Sequence, residues 1–235
     1  MTNRGNWLIV GALATTGCLG SPTTHPYHLA HPFVDQGRAA SIALAVTDRR
    51  QFVAMGGRPD FVGKLHPGRD VTTASGQPLA ADFAVSIRRG LEAAGYRVAL
   101  ARVMARSRPE TVASALVKAG GERLLAVQID EWRYDSHVRG KLAYDVTMRV
   151  LDPRGQELGR AQVSGLDVLT GDPPAKVPTA YLEKLEQLLN DPAIKRGMAA
   201  STSVPIAPAP PASAPPPPPA PSEPAVVVPG GGPSP

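Results

Sequence analysis

The segment Ser41–Asp48, SIALAVTD, sets the architecture of this chain. Ile42, Leu44 and Val46 fall on one face of an extended strand, and small side chains occupy most of the other face. Such a strand can be covered on both faces. The segment therefore predicts the first strand of a folded domain whose sheet carries packed helices.

Two helix-and-strand units are predicted after this strand. Residues 49–77 are rich in Gly, Pro and Arg, lack sustained periodicity and predict a long loop. An amphipathic helix then ends at Gly95, and residues 96–101 predict a second strand. The apolar face of that helix is formed by Leu79, Phe83, Ile87 and Leu91.

The next helix is predicted from its first turn. Ser107 and Glu110 have the spacing of a capping box, and Pro109 lies between them in the first turn. Val112 and Leu116 supply an apolar face before two consecutive glycines end the helix.

The second half of the domain alternates with a period of two. Residues 124–134 predict a long strand, and residues 141–150 predict a strand with one wet face. A turn at 152–155 leads to a strand over 156–168. Thr179 is predicted to cap a last helix rich in leucine, and Asp191 can start a short final turn.

The resulting order, β-α-β-α-β-β-β-α, predicts an α/β (α+β) domain with a mixed β-sheet. Its two βαβ crossovers give parallel neighbours, and its hairpins add an antiparallel wing. The helices are expected to pack on this sheet.

The N-terminus has the three-part layout of a secretory signal. Arg4 lies in a polar start, a short apolar run follows, and small residues precede Cys18, the only cysteine of the chain. Ten or so apolar residues are too few for a membrane-spanning helix. Residues 14–18 fit the lipobox of bacterial lipoproteins, although Thr15 stands where Leu is most common. We therefore predict a signal peptide at 1–17, cleavage before Cys18 and attachment of acyl chains such as palmitate to its sulfur.

Composition divides the mature chain into three parts. Residues 18–38 predict a polar lipidated tether, residues 39–198 a single domain, and residues 199–235 a disordered tail rich in Pro and Ala. The formal net charge of +5 fits attraction to anionic envelope surfaces. It predicts no nucleic-acid binding, because no basic cluster with interleaved aromatic residues occurs.

The domain also resembles the uncharacterised YajG-like bacterial lipoproteins. The resemblance covers 41–189 and lies in the strand ending at 46–50, the loop with Phe61-Val62-Gly63, the helix closing on 91–96 and the strand near 130–132. It implies an α/β lipoprotein of the envelope, also similar in topology to auxiliary lipoproteins of envelope ABC transporters and to the N-terminal domain of TolB. It brings no catalytic residues. By resemblance to enterobacterial sorting, Leu19 favours the outer membrane, facing the periplasm.

Candidate chemical sites in the sequence are few. His25, His28 and His31 have the spacing of possible metal ligands, but Pro26 and Pro32 argue against the fixed geometry that a tight site needs. Residues 56–64 fail the phosphate-loop spacing. Asp130 and Glu131 are adjacent on a strand, so we expect them on opposite faces, apart from each other. No catalytic residue, metal or cofactor is therefore predicted.

Two residue groups predict contacts with a partner. Asp48, Arg49 and Arg50 end the first strand, where α/β sheets often bind ligands, although an internal ion pair is the more common explanation of such residues. The second group combines aromatic and basic side chains, which are enriched in binding hot spots but also pack in cores. Its members are Trp132, Arg133, Tyr134, Arg139, Lys141 and Tyr144.

The sequence predicts a non-catalytic, lipid-anchored envelope protein that assists a protein or cell-envelope partner. The alternatives are a ligand-binding or auxiliary subunit of an envelope transporter, and an enzyme acting on cell wall or lipid. A pocket lined by Asp48, Arg49, Arg50 and Asp130 would favour ligand binding. A flat apolar patch on the antiparallel wing would favour a protein partner.

Overall fold

The computed structural model describes residues 23–35, 41–136 and 139–200. The predicted signal peptide, Cys18, and residues 201–235 of the predicted tail lie outside these ranges. The described residues form eight strands, five α-helices and a 3₁₀ turn at Tyr27–Leu29. The strands are β1 (Thr23–His25), β2 (Ser41–Asp48), β3 (Phe61–Leu65), β4 (Arg69–Thr73), β5 (Arg97–Leu100), β6 (Arg123–Ser136), β7 (Gly140–Leu151) and β8 (Glu157–Leu169). The helices are α1 (Gln51–Ala54), α2 (Leu79–Ala93), α3 (Pro109–Ala119), α4 (Pro173–Leu189) and α5 (Pro192–Ala199).

All eight strands belong to one mixed sheet organised around β6. One edge of β6 pairs in parallel with β2 and, further along, with β3. Its other edge pairs with β7 in antiparallel fashion, and β7 pairs with β8 in the same way. The strand β2 also pairs in parallel with β5. The α/β class, the mixed sheet, the two parallel crossovers and the antiparallel wing are thus confirmed.

The main core lies on one face of the sheet, which we call the inner face. Alternate residues of β6 such as Leu125, Val127 and Ile129 are buried there under α2, α4 and α5. A smaller cluster lies on the opposite, outer face, where Leu116 of α3 packs on Leu124 of β6 and on neighbouring residues of β2. Because α3 reaches only β2 and part of β6, the outer face is covered over part of its area.

The predicted loop at 49–77 is wrong, because it contains α1 and the antiparallel pair β3–β4. Its apolar residues are buried in short segments that do not repeat long enough to show a period. Gly63 lies at a bulge with φ of +151°, and a Cβ there would sit 1.7 Å from the carbonyl oxygen of Tyr134. Only glycine permits this approach of β3 to β6.

The predicted tether is also wrong for residues 23–35, which belong to the folded body. The strand β1 pairs in parallel with β4, and the Tyr27 side chain is fully buried. The Phe33 backbone N–H donates to the Glu186 carboxylate (2.9 Å), and the Asn190 side chain bonds the backbone of 33–35. The segment lacks a periodic apolar face because it is held by single side chains and polar bonds.

Helix starts differ from the predicted caps. Arg108, and not Ser107, stands at the N-cap of α3, and the Ser107 hydroxyl accepts from the Met104 N–H. The helix α4 begins at Pro173, so Thr179 lies inside it, next to Pro178. The Asp191 cap of α5 is confirmed, since its carboxylate accepts from the Ala193 N–H at 2.7 Å.

None of the helices formed by the described residues is both long and apolar enough to cross a bilayer.

Candidate interaction surface

The end of β2 carries a buried ion pair. Arg50 donates from Nε to Asp48 Oδ1 at 2.9 Å and from Nη2 to Asp48 Oδ2 at 2.7 Å. Both side chains are only 1% exposed. Such a bidentate pair matches the planar guanidinium to the carboxylate.

The rest of the Arg50 guanidinium binds backbone. Its Nη1 donates to the carbonyls of Phe61 (2.7 Å) and Trp132 (3.3 Å), and its Nη2 donates also to the carbonyl of Pro59 (3.0 Å). Arg50 therefore joins β2, β3 and β6 from inside the molecule. The hypothesis of partner contacts is wrong for Asp48 and Arg50, and the internal ion pair is what the structure contains. Arg49 between them is exposed.

Trp132 and Tyr134 lie in the core and not on a contact surface. Their side chains are 1% and 0% exposed. The Trp132 indole N–H donates to the Tyr27 hydroxyl at 3.1 Å, and its ring meets Phe83 and Tyr181 edge to face. The interpretation of these two aromatic residues as partner contacts is therefore wrong, and core packing is their role.

This aromatic cluster encloses polar groups. Ser86 donates to the carbonyl of Tyr27 at 2.6 Å, and Ser75 donates to Asp82 at 2.6 Å. Burial raises the pKa of the Tyr27 and Tyr181 hydroxyls and that of the Asp82 carboxyl. These directions follow from burial, which disfavours the charged form of each group.

The three histidines occupy different environments. His25 is 2% exposed on β1, and burial lowers its pKa to about 4. His28 is half-buried with Nδ1 3.9 Å from Asp82 Oδ2, and His31 is exposed. Within the described ranges no group of three His, Cys, Asp or Glu side chains is arranged to hold a metal ion. The histidines follow the fold of 23–35 and do not converge.

A bulge in β6 changes the expected placement of Asp130 and Glu131. The register with β7 shifts between Ile129 and Glu131. Asp130 accepts from the Gln128 amide at 2.8 and 2.9 Å, and Glu131 pairs with Asp145. Both carboxylates therefore lie on the outer face, because the bulge inserts one residue into the alternation. The prediction that they point to opposite faces is wrong.

Beyond this bulge, the outer face of β6, β7 and β8 forms a surface that we call the wing face. Directly paired residues of neighbouring strands share a face of the sheet. The register thus places three rows side by side on it: Asp135, Lys141 and Val168; Arg133, Ala143 and Leu166; Glu131, Asp145 and Ser164.

The wing face combines solvent-exposed apolar and charged side chains. Leu166 is 58% exposed and Val168 is 49% exposed, and no helix of the described residues covers them. Arg133 lies in the same row as Leu166, and its side chain is 54% exposed in an ion pair with Asp135 (2.9 Å). Arg139, also exposed, precedes β7. Of the predicted contact residues on β6, only Arg133 is therefore on this surface.

The signal that identifies Leu166 and Val168 is present in the sequence. They alternate with Asp167 and Leu169 on a strand whose other face meets α4 and α5. The alternation predicts the strand but does not indicate which of its faces a helix covers. That question depends on where α3 packs, which no local pattern states.

No family model matches this chain, and no curated protein sequence matches it either. Solved structures that the chain resembles include a Xanthomonas campestris protein of family DUF330, at 14% identity and a TM-score of 0.43, covering 75% of this chain and 90% of that one. A PelC dodecamer from Paraburkholderia phytofirmans is 18% identical with a TM-score of 0.37, covering 68% and 94%. Lipoprotein GNA1162 from Neisseria meningitidis is 14% identical with a TM-score of 0.27, covering 62% and 97%.

All three TM-scores are below 0.5, so these neighbours assign the chain neither a family nor a function. One of them is a bacterial lipoprotein. The likeness of this chain to YajG-like proteins stays a prediction.

Proposed function

We propose that this protein is a non-catalytic, lipid-anchored accessory factor of the bacterial envelope that binds a partner protein through its wing face. The observation that carries the proposal is the exposure of Leu166 and Val168 on the outer face of β8. Contiguous exposed apolar side chains beside charged ones are typical of protein-binding surfaces. Anchoring through Cys18 is the part of the proposal that comes from the sequence pattern.

A protein partner fits this surface better than a small ligand does. The wing face is the open surface of three paired strands, whereas small-molecule sites are concave. The alternative pocket around Asp48 and Arg50 has no physical basis, since both side chains are buried and bound to each other. The charged residues Arg133 and Lys141 beside the apolar pair would orient a partner.

Site-specific photocrosslinking in intact cells tests the contact. A photoreactive amino acid at position 166 or 168 is expected to give an adduct of one defined mass, whereas the same group at Glu92, exposed on α2, gives none. The double variant Leu166→Lys with Val168→Lys should reduce an adduct formed from position 143 at least tenfold. Identical adducts from 166 and 92, or an undiminished adduct in the double variant, would contradict the proposal.

Fractionation tests the anchor separately. The parent chain is expected in the membrane fraction, and Cys18→Ala is expected to leave it. Mass spectrometry of the parent should find the mature chain starting at an acylated Cys18. An alanine variant that fractionates with membranes as the parent does would show that the anchor is wrong, whatever the crosslinks show.

A further inference from the structure

A cavity of about 290 Å³ lies on the inner side of the sheet, between α2, α4 and α5. It lies on the opposite side of the sheet from the wing face. Most of its lining is aliphatic and comes from the buried core. The principal apolar lining residues are Leu91, Tyr96, Leu125, Leu189, Ile194 and Met198.

One wall of the cavity is held in place by polar bonds. Val34 lines the cavity, and the residues on both sides of it are fastened to α4. The Phe33 N–H donates to Glu186 at 2.9 Å, the Asn190 amide donates to the Phe33 carbonyl at 2.8 Å, and the Asp35 N–H donates to the Asn190 side chain at 3.0 Å. These hydrogen bonds hold residues 33–35 in place against α4. The cavity is therefore a fixed part of the fold.

The half-exposed Asp35 and Lys195 mark the side of the cavity that faces solvent, which we call its mouth. Lys195 pairs with Asp35, and both side chains are about half exposed. The Asn190 side-chain amide donates hydrogen bonds to the carbonyls of Phe33 and Glu186. The rest of the lining is mainly aliphatic, and an apolar cavity of this kind takes apolar molecules.

We propose that this cavity binds the alkyl chain of a single-chain amphiphile, whose polar head stays at the Asp35–Lys195 mouth. At roughly 30 Å³ for each water-sized group, the volume accommodates about ten methylene groups. The flexible Met198 side chain suits a surface that adapts to such a chain. The charges at the mouth, one of each sign, remain in water beside the head. A fatty acid and a lysophospholipid share this chemistry.

The test uses the full chain in envelope membranes. A twelve-carbon fatty acid with a diazirine at its chain end is added to the membranes, which are then irradiated. Mass spectrometry identifies the labelled residues. Adducts are expected on Leu125, Leu189 or Met198, and dodecanoate should compete with them. Competition should strengthen about fourfold for each added methylene and level off near ten carbons. Labelling spread over the wing face, or competition independent of chain length, would overturn the proposal.

Matched variants locate the site. Val34→Phe fills the cavity from its wall and is expected to reduce labelling at least tenfold, whereas Val117→Phe on the exposed side of α3 leaves it unchanged. Thermal unfolding checks that both variants fold; Met198→Phe replaces Val34→Phe if the wall variant does not. Equal labelling of the parent and of a folded variant with a filled cavity would show that the alkyl chain does not bind there.

A second probe distinguishes the two sources of the chain. The same photoreactive chain is presented as a lysophospholipid. The head group that gives the stronger adduct at Met198 identifies the source. If neither probe labels the cavity, the proposal is wrong.

Discussion

At the scale of single residues, Arg50 is the most consequential side chain of the body. Its guanidinium binds Asp48 twice and three backbone carbonyls besides, with almost no exposure to solvent. A buried ion is tolerated only when its hydrogen-bonding capacity is used in this way. The junction of β2, β3 and β6 therefore depends on one charge pair.

Removing one partner of this pair should destabilise the fold strongly. Asp48→Ala is expected to lower the free energy of unfolding by about 3–5 kcal/mol, because it leaves the Arg50 charge buried without a counterion. Chemical denaturation measures this loss. The matched control Asp135→Ala breaks the exposed pair with Arg133 and should cost roughly 0–1 kcal/mol. Equal costs for the two variants would show that burial of the pair is unimportant.

His25 should make stability depend on pH. Its pKa is about 4 in the folded protein because of burial, against an ordinary value of 6.5. The unfolded chain therefore binds a proton more readily, and stability contributed by neutral His25 is lost as the pH falls from 6.5 to 4. The loss amounts to about 3 kcal/mol.

The measurement compares unfolding of the parent and His25→Phe across pH 4 to 7. The difference in their free energies of unfolding should change by about 3 kcal/mol over this range. His31→Gln, at an exposed position, is the control and should leave the pH profile of the parent unaltered. A His25→Phe profile parallel to that of the parent would rule out this titration.

Sequence reasoning could name the chemically capable residues but not their exposure. Trp132, Tyr134 and Arg50 belong to types common both in binding sites and in cores, so residue type leaves the choice open. The bulge after Ile129 then sets which later residues of β6 face inward. It buries Trp132 and exposes Arg133, and no periodic pattern announces a single inserted residue.

At the scale of elements, long periodic segments were predictable and short ones were not. Residues 41–48, the apolar face of α2 and the alternation of β7 each repeat often enough to specify a strand or a helix. The strands β3 and β4 have five residues each, and Gly63 interrupts their pairing. Tertiary contacts with β6 define them.

The contact of β8 with α5 depends on a missing side chain. A Cβ at Gly159 would lie 2.2 Å from the carbonyl oxygen of Ala193. Gly159→Ala should therefore push α5 from the sheet and lower the free energy of unfolding by about 1–3 kcal/mol. Denaturant unfolding measures this effect. Ser164→Ala, at an exposed position of the same strand, is the control, and equal stability of the two variants would contradict the close contact.

At the scale of the whole molecule, the sheet carries more helices on one face than on the other. The inner face meets α2, α4 and α5, whereas α3 covers only part of the outer face. The sequence predicted the layers correctly, because each amphipathic helix must bury one face. It did not predict the uncovered region, since that depends on the position of α3 over the sheet.

The segment 23–35 should contribute to the stability of the whole body. Tyr27 fills the aromatic cluster beneath Trp132 and Tyr181. Tyr27→Ala is expected to cost about 3–5 kcal/mol through the cavity it creates. Thermal or denaturant unfolding checks this value. Leu29→Ala, two residues away and 57% exposed, is the control. Similarly small losses of unfolding free energy for both variants would show that this segment does not stabilise the body.

The packing of residues 23–35 on the body also limits the distance between the body and a bilayer. If Cys18 carries lipid, only residues 19–22 separate it from the paired strand at Thr23. Even fully stretched, five residue steps reach roughly 17 Å. Such a short linker would hold the folded body next to the lipid headgroups. The body could then contact proteins attached to the same leaflet, but not proteins far from the membrane surface.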